Sequence, residues 1–60
     1  MAYITNDKVL NTYIDNNKKS RCQKAIIIGR TFDENPEYDV RLLHNDYLIT
    51  NVDIEMLELL

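Results

Sequence analysis

The sequence predicts an α+β domain, a small three-stranded antiparallel meander flanked by an N-terminal and a C-terminal helix (α-β-β-β-α), and three observations predict it. Lys24-Ala25-Ile26-Ile27-Ile28-Gly29-Arg30 is a continuous apolar run of β-branched residues closed by the chain's single glycine. Tyr38 to Leu42 alternates apolar with charged residues, the period of a half-buried strand. At both ends of the chain, apolar residues recur at helical spacing behind a threonine suited to an N-cap. Residues 1–60 hold a single domain. A chain this short buries only roughly 60% of the surface its unfolded form exposes, so its stability margin is expected to be thin.

The first helix is expected over about residues 6 to 16. Thr5 is its N-cap, Ile4 and Val9 have the spacing of a hydrophobic staple, and Val9, Leu10, Tyr13 and Ile14 fall on one stripe. Asn16-Asn17-Lys18-Lys19-Ser20 ends it, because asparagine tolerates the left-handed C-terminal position and lysines suit the negative end of the dipole. The isoleucine run is the central strand, with Ile26 and Ile28 directed to the core and Ile27 to a second layer or a partner. Asn35-Pro36 forces a connection. Tyr38, Val40 and Leu42 face inward on the next strand, with Asp39 and Arg41 outward. His44-Asn45-Asp46 supplies a turn, and Tyr47-Leu48-Ile49 returns as a third strand.

The C-terminal segment opens with Ile49-Thr50-Asn51, where Thr50 and Asp53 have capping-box spacing. Val52, Ile54 and Met56 alternate as a strand would, while Val52, Met56, Leu59 and Leu60 form a helical stripe. Met, Glu and Leu are strong helix formers, which favours the helix. Ile54 and Leu57 widen its apolar arc beyond what one small sheet covers. Val52, Ile54, Met56, Leu57, Leu59 and Leu60 are therefore read as a homodimer interface, since a short chain gains stability by self-association.

Composition limits the function classes. Hydrophobic residues make up 45% and charged residues 28%, ordinary for a globular domain. A net charge of −3 disfavours a general nucleic-acid binder. One cysteine excludes an internal disulfide and, with no secretory pattern and no run near the roughly 20 apolar residues a membrane span needs, points to a cytoplasmic protein. Abundant Asn and Ile with scarce Gly, Pro and Trp follow AT-rich coding DNA, as in a low-GC bacterium or its phages.

Charge is segregated along the chain. Lys18, Lys19, Arg21, Lys24 and Arg30 supply five of the seven cations. Lys18, Lys19, Arg21 and Lys24 are the candidate nucleic-acid contacts, set against the plainer reading of a solvated helix end and strand flank. Asp33, Glu34, Glu37 and Asp39 surround the proline loop. Asp33, Glu34, Glu37 and Tyr38 are the candidate partner-binding residues, since acidic proteins more often meet other proteins. His44 with Asp46 lacks a second histidine or cysteine ligand, and Cys22 lacks a visible histidine partner. No catalytic residue, metal or cofactor is expected. The sequence thus favours an acidic, homodimeric protein-binding module, a regulator or phage-type inhibitor acting by occupying a host protein's surface. The alternative is a nucleic-acid-associated regulator using residues 18 to 30.

Overall fold

The computed structural model describes residues 2–60, and its architecture is an antiparallel sheet with no α-helix among them. The strands are β1 (Lys8–Ile14), β2 (Ser20–Arg30), β3 (Glu37–Leu42), β4 (Leu48–Asp53) and β5 (Leu57–Leu59), with a short 3₁₀ turn at Ile54–Met56 before β5. Their order across the sheet is β4-β3-β2-β1-β5. Both expected helices are therefore corrected to strands, and the α-β-β-β-α arrangement is replaced by five strands.

The first correction lies in period. Val9, Leu10, Tyr13 and Ile14 fit a helical stripe, but Val9, Asn11 and Tyr13 also fit a strand face, and this second set turns inward. Asn11 is the polar residue that hid the alternation. Thr5 caps nothing: Ile4 to Asp7 is a turn in which Asp7 N–H donates to the Ile4 carbonyl at 3.1 Å and Asp7 Oδ2 accepts from Ile4 N–H at 3.0 Å. Asn6 takes φ 79° there, a left-handed conformation that asparagine tolerates. The segment expected to end a helix instead joins β1 to β2. Asp15 O accepts from Lys18 N–H, Lys18 adopts φ 60°, and Asp15 N–H donates to Lys19 O, a type I turn with a one-residue bulge.

The central strand is present and longer than expected, but its faces are reversed. Ala25 and Ile27 are buried, whereas Ile28 is 40% exposed and Ile26 only half-buried. Pairing explains the reversal: Val9 lies opposite Ala25, and Ile27 opposite Val40, so the inward residues of β1 and β3 select the odd-numbered positions of β2. Next comes a bulge, because Ile27 faces Val40 while Gly29 faces Asp39, leaving Ile28 as the extra residue. Beyond it Arg30 lies opposite buried Tyr38.

Strand β3 keeps the expected alternation, with Tyr38, Val40 and Leu42 buried. Strand β4 runs on through the residues assigned to a helix start. Val40 lies opposite Ile49 and Tyr38 opposite Val52, so Thr50 and Asn51 together face Asp39 in a second bulge, and Asn51 has φ 57°. That bulge is what the capping-box spacing disguised. After the 3₁₀ turn, β5 returns to pair with β1, placing Leu57 opposite Asn11 and Leu59 opposite Val9.

All five strands contribute to one core of Val9, Ala25, Ile27, Tyr38, Val40, Leu42, Val52 and Leu57. Two strands separate β1 from β4 in the sheet, yet both line one groove, so the sheet curls around this core. Of the expected core, Val9, Val40 and Leu42 are buried, Tyr13 and Leu10 are half-buried, and Ile14 is 66% exposed. Tyr38 anchors one end. Its hydroxyl accepts from Tyr3 N–H at 3.1 Å, the Tyr3 ring meets it edge-on at 5.5 Å, and the Arg30 guanidinium lies 5.6 Å from its ring centre.

Candidate functional site

Antiparallel hairpins alternate between the two ends of the curled sheet. One end gathers the β1–β2 and β3–β4 turns; the other gathers the N-terminal segment, the β2–β3 loop and the 3₁₀ turn. At this second end a groove of about 670 Å³ is lined by Ala2, Glu34, Asn35, Pro36, Asp53, Ile54 and Glu55. The lining sets apolar Ala2, Pro36 and Ile54 among Glu34, Asp53 and Glu55, and among the described residues its charged groups are all acidic.

The loop that forms one wall is held by local bonds. Thr31 N–H donates to the Glu37 carbonyl at 2.9 Å, and Glu37 N–H donates to Thr31 Oγ1 at 2.9 Å, clamping the loop base. Asp33 Oδ1 accepts from Asn35 N–H at 3.1 Å, turning the chain ahead of Pro36. Pro36 fixes its own φ and restricts Asn35. The opposite wall follows from β4, which runs out at Asp53 and hands Ile54 and Glu55 to the 3₁₀ turn.

The four expected partner-binding residues separate. Glu34 lines the groove, Asp33 braces the loop, Glu37 Oε1 accepts from Asn51 Nδ2 at 3.2 Å, and Tyr38 is core and offers no surface. The proposed dimer residues separate too. Val52 and Leu57 are 7% exposed and belong to the core, Ile54 lines the acidic groove, Met56 lines a second groove, and Leu59 and Leu60 are exposed. The excess apolar area argued for a helix is thus partly consumed inside the molecule.

The basic residues of positions 18 to 30 are divided between the β1–β2 turn and strand β2. Lys18 and Lys19 occupy the β1–β2 turn, and Arg21 Nε donates to Asp15 Oδ2 at 2.8 Å. That bond, reinforced by Lys19 N–H, holds the Asp15 carboxyl below its ordinary range and raises Arg21. Lys24 lies on the outer face with Leu10, Cys22, Leu43 and His44 around a shallow depression. Cys22 and His44, far apart in sequence, are therefore neighbours of one hollow. Among the described residues no group of three His, Cys, Asp or Glu side chains is arranged to hold a metal ion, and no helix is long and apolar enough to cross a membrane.

A second groove, of about 330 Å³, runs along the seam between β1 and β4. Tyr13, Ile14, Ile49, Val52 and Met56 line it, and Asn11 lies at its base, wholly buried with neither side-chain amide atom hydrogen bonded. The helix expected over residues 6 to 16 left Asn11 off its apolar stripe, so this position was missed. The available signal was period-two alternation through Val9, Asn11 and Tyr13. Ala2, Pro36 and Asp53 were likewise missed as groove residues, since only the fold brings them beside Glu34. No protein-family model matches this chain, nor does any curated protein or solved structure.

Proposed function

We propose that this chain is a small protein-binding module whose acidic end groove receives a basic segment of its partner. The observation that supports the reading is the gathering of Glu34, Asp53 and Glu55 with Ala2, Pro36 and Ile54, with no cationic side chain among the described residues of the lining. Carboxylates beside apolar side chains suit a lysine or arginine, whose stem is apolar and whose head is charged. The net charge of −3 adds long-range attraction for such a segment. Action is by occupancy, with no chemistry performed on the partner.

A panel of fluorescently labelled peptides rich in Lys and Arg, with Asp and Glu counterparts as controls, tests this by anisotropy. Basic peptides should bind with an affinity that weakens as salt is raised, and the Glu34→Lys/Glu55→Lys double variant should weaken them at least roughly tenfold. Equal binding of acidic peptides, or indifference to the double variant, refutes the reading. Salt-sensitive retention on DNA that is lost in Lys18→Glu/Lys19→Glu supports the nucleic-acid alternative instead.

A further inference from the structure

The seam groove carries an inference beyond the acidic end. Strand β5 leaves the edge of β1 at the pair formed by Asn11 and Leu57, because the chain before Leu57 turns away through Ile54–Met56. Beyond Asn11, no strand among the described residues pairs with that edge. Two bonds fix which backbone groups lie on it: the Lys8 carbonyl accepts from Leu60 N–H on the β5 side at 3.3 Å, whereas Asp15 N–H donates to Lys19 O on the β2 side at 3.0 Å. Residues alternate in the edge they address. Thr12 and Ile14 therefore direct N–H and C=O to the β5 side, past the point where β5 ends. Two residues so spaced are the repeat of an antiparallel ladder.

Asn11 supplies an independent observation. A buried carboxamide normally has partners, and this one has none among the described residues. It stands at the last pair with β5, beside the unpaired edge. The groove walls of Ile14, Ile49, Val52 and Met56 are apolar. Strand β4, across the groove, is blunted by its bulge at Thr50 and Asn51, a device that discourages edge pairing, so β1 is the edge able to accept a strand. Asp53 lines both grooves, which makes the seam continuous with the acidic end.

We infer that the seam receives one extended segment of another protein. It pairs its backbone with Thr12 and Ile14 in line with β5, seats an apolar side chain between Ile49 and Met56, and sets a polar side chain over Asn11. A basic residue of the same segment meets Asp53. Only this last contact rests on the proposed function of the acidic end. In such strand addition the main-chain bonds give affinity and alternate side chains give specificity.

The test uses the full chain and a library of peptides about seven residues long, with inner positions drawn from Val, Ile, Leu, Thr and Asn and one terminal Lys. Binding is followed by amide exchange. Selected peptides should protect the Thr12 and Ile14 amides, lose at least roughly tenfold in affinity when N-methylated at alternate residues, and lose as much with Thr12→Pro, which removes a donor that β2 does not use. Asn11→Leu should weaken polar-centred peptides without lowering the melting temperature, whereas a merely structural Asn11 would leave peptide affinity unchanged. Absence of binding across the library, or binding indifferent to both N-methylation and Thr12→Pro, overturns the inference. Concentration-dependent protection of Thr12 and Ile14 without peptide also overturns it, since a second copy would then be the occupant. If the Glu34→Lys/Glu55→Lys variant weakens binding while Thr12→Pro does not, the acidic-end reading stands and the strand inference fails. The reverse pattern keeps the strand inference and removes the other.

Discussion

Ile27 shows how one residue carries the fold. It is wholly buried, opposite Val40, and its backbone takes part in two further bonds, donating to Asp7 O at 2.9 Å and accepting from Asn6 N–H at 2.7 Å. Ile27→Ala should cost about 2–5 kcal/mol, and chemical denaturation should show Ile26→Ala and Ile28→Ala costing clearly less. The left-handed positions make a second residue-scale case. Asn6, Lys18, Asp46 and Asn51 all have positive φ, while the only glycine does not. Three of the four are Asn or Asp, which adopt this conformation at least cost; Lys18 is the exception. Lys18→Gly should therefore gain about 0.5 kcal/mol, read as a higher denaturation midpoint with an unchanged slope. Gly29→Ala should be close to neutral, because the added Cβ meets only the Asp39 side chain, Oδ2 at 3.4 Å and Cβ at 3.9 Å.

Among the elements, the β1–β2 hairpin carries a built-in pH response. Asp15 Oδ1 accepts from Asn17 N–H and Lys19 N–H, both at 2.9 Å, and Oδ2 from Arg21. A carboxyl held below its ordinary range stabilises the folded state fully above that range and loses its contribution as pH falls through the lowered value. Asp15→Asn should flatten the acid limb of a stability profile while leaving the neutral region, where Lys18 and Asn17 still form the turn, closer to the parent. At the other end of the chain, Leu57→Asp should unfold the protein, because Leu57 lies in the core opposite Asn11. A folded Leu57→Asp variant in circular dichroism would contradict the placement of β5.

For the molecule as a whole, far-ultraviolet circular dichroism should show a β spectrum without the double minimum of a helix. How much of this was legible in the sequence depended on whether local period and long-range pairing agreed. They agreed at Tyr38, Val40 and Leu42, and at the turn after Leu43, so β3 and its exit could be read directly. They disagreed where an inward polar residue broke the alternation, at Asn11, and where bulges shifted it, at Ile28 and at Thr50-Asn51. Two four-residue runs of mixed polarity then mimicked helix caps. The acidic groove was half legible: Glu34 stood out as charge, but its meeting with Asp53 and Glu55 is a product of topology. The Asn11 seam was invisible, since it exists only because β5 is shorter than β1.

That last strand also sets a clock on the molecule's birth. Strand β1 is paired on one side with residues 20–26 and on the other with residues 57–59. The first of the five strands to be synthesised is thus flanked by the fifth, and Val9 and Asn11 stay uncovered on one side until residues 57–59 have been made. Domains generally fold as units during or after synthesis. Here the nascent chain can form its β1–β2–β3 meander early, yet it cannot seal this core until residues 57–59 have left the exit tunnel.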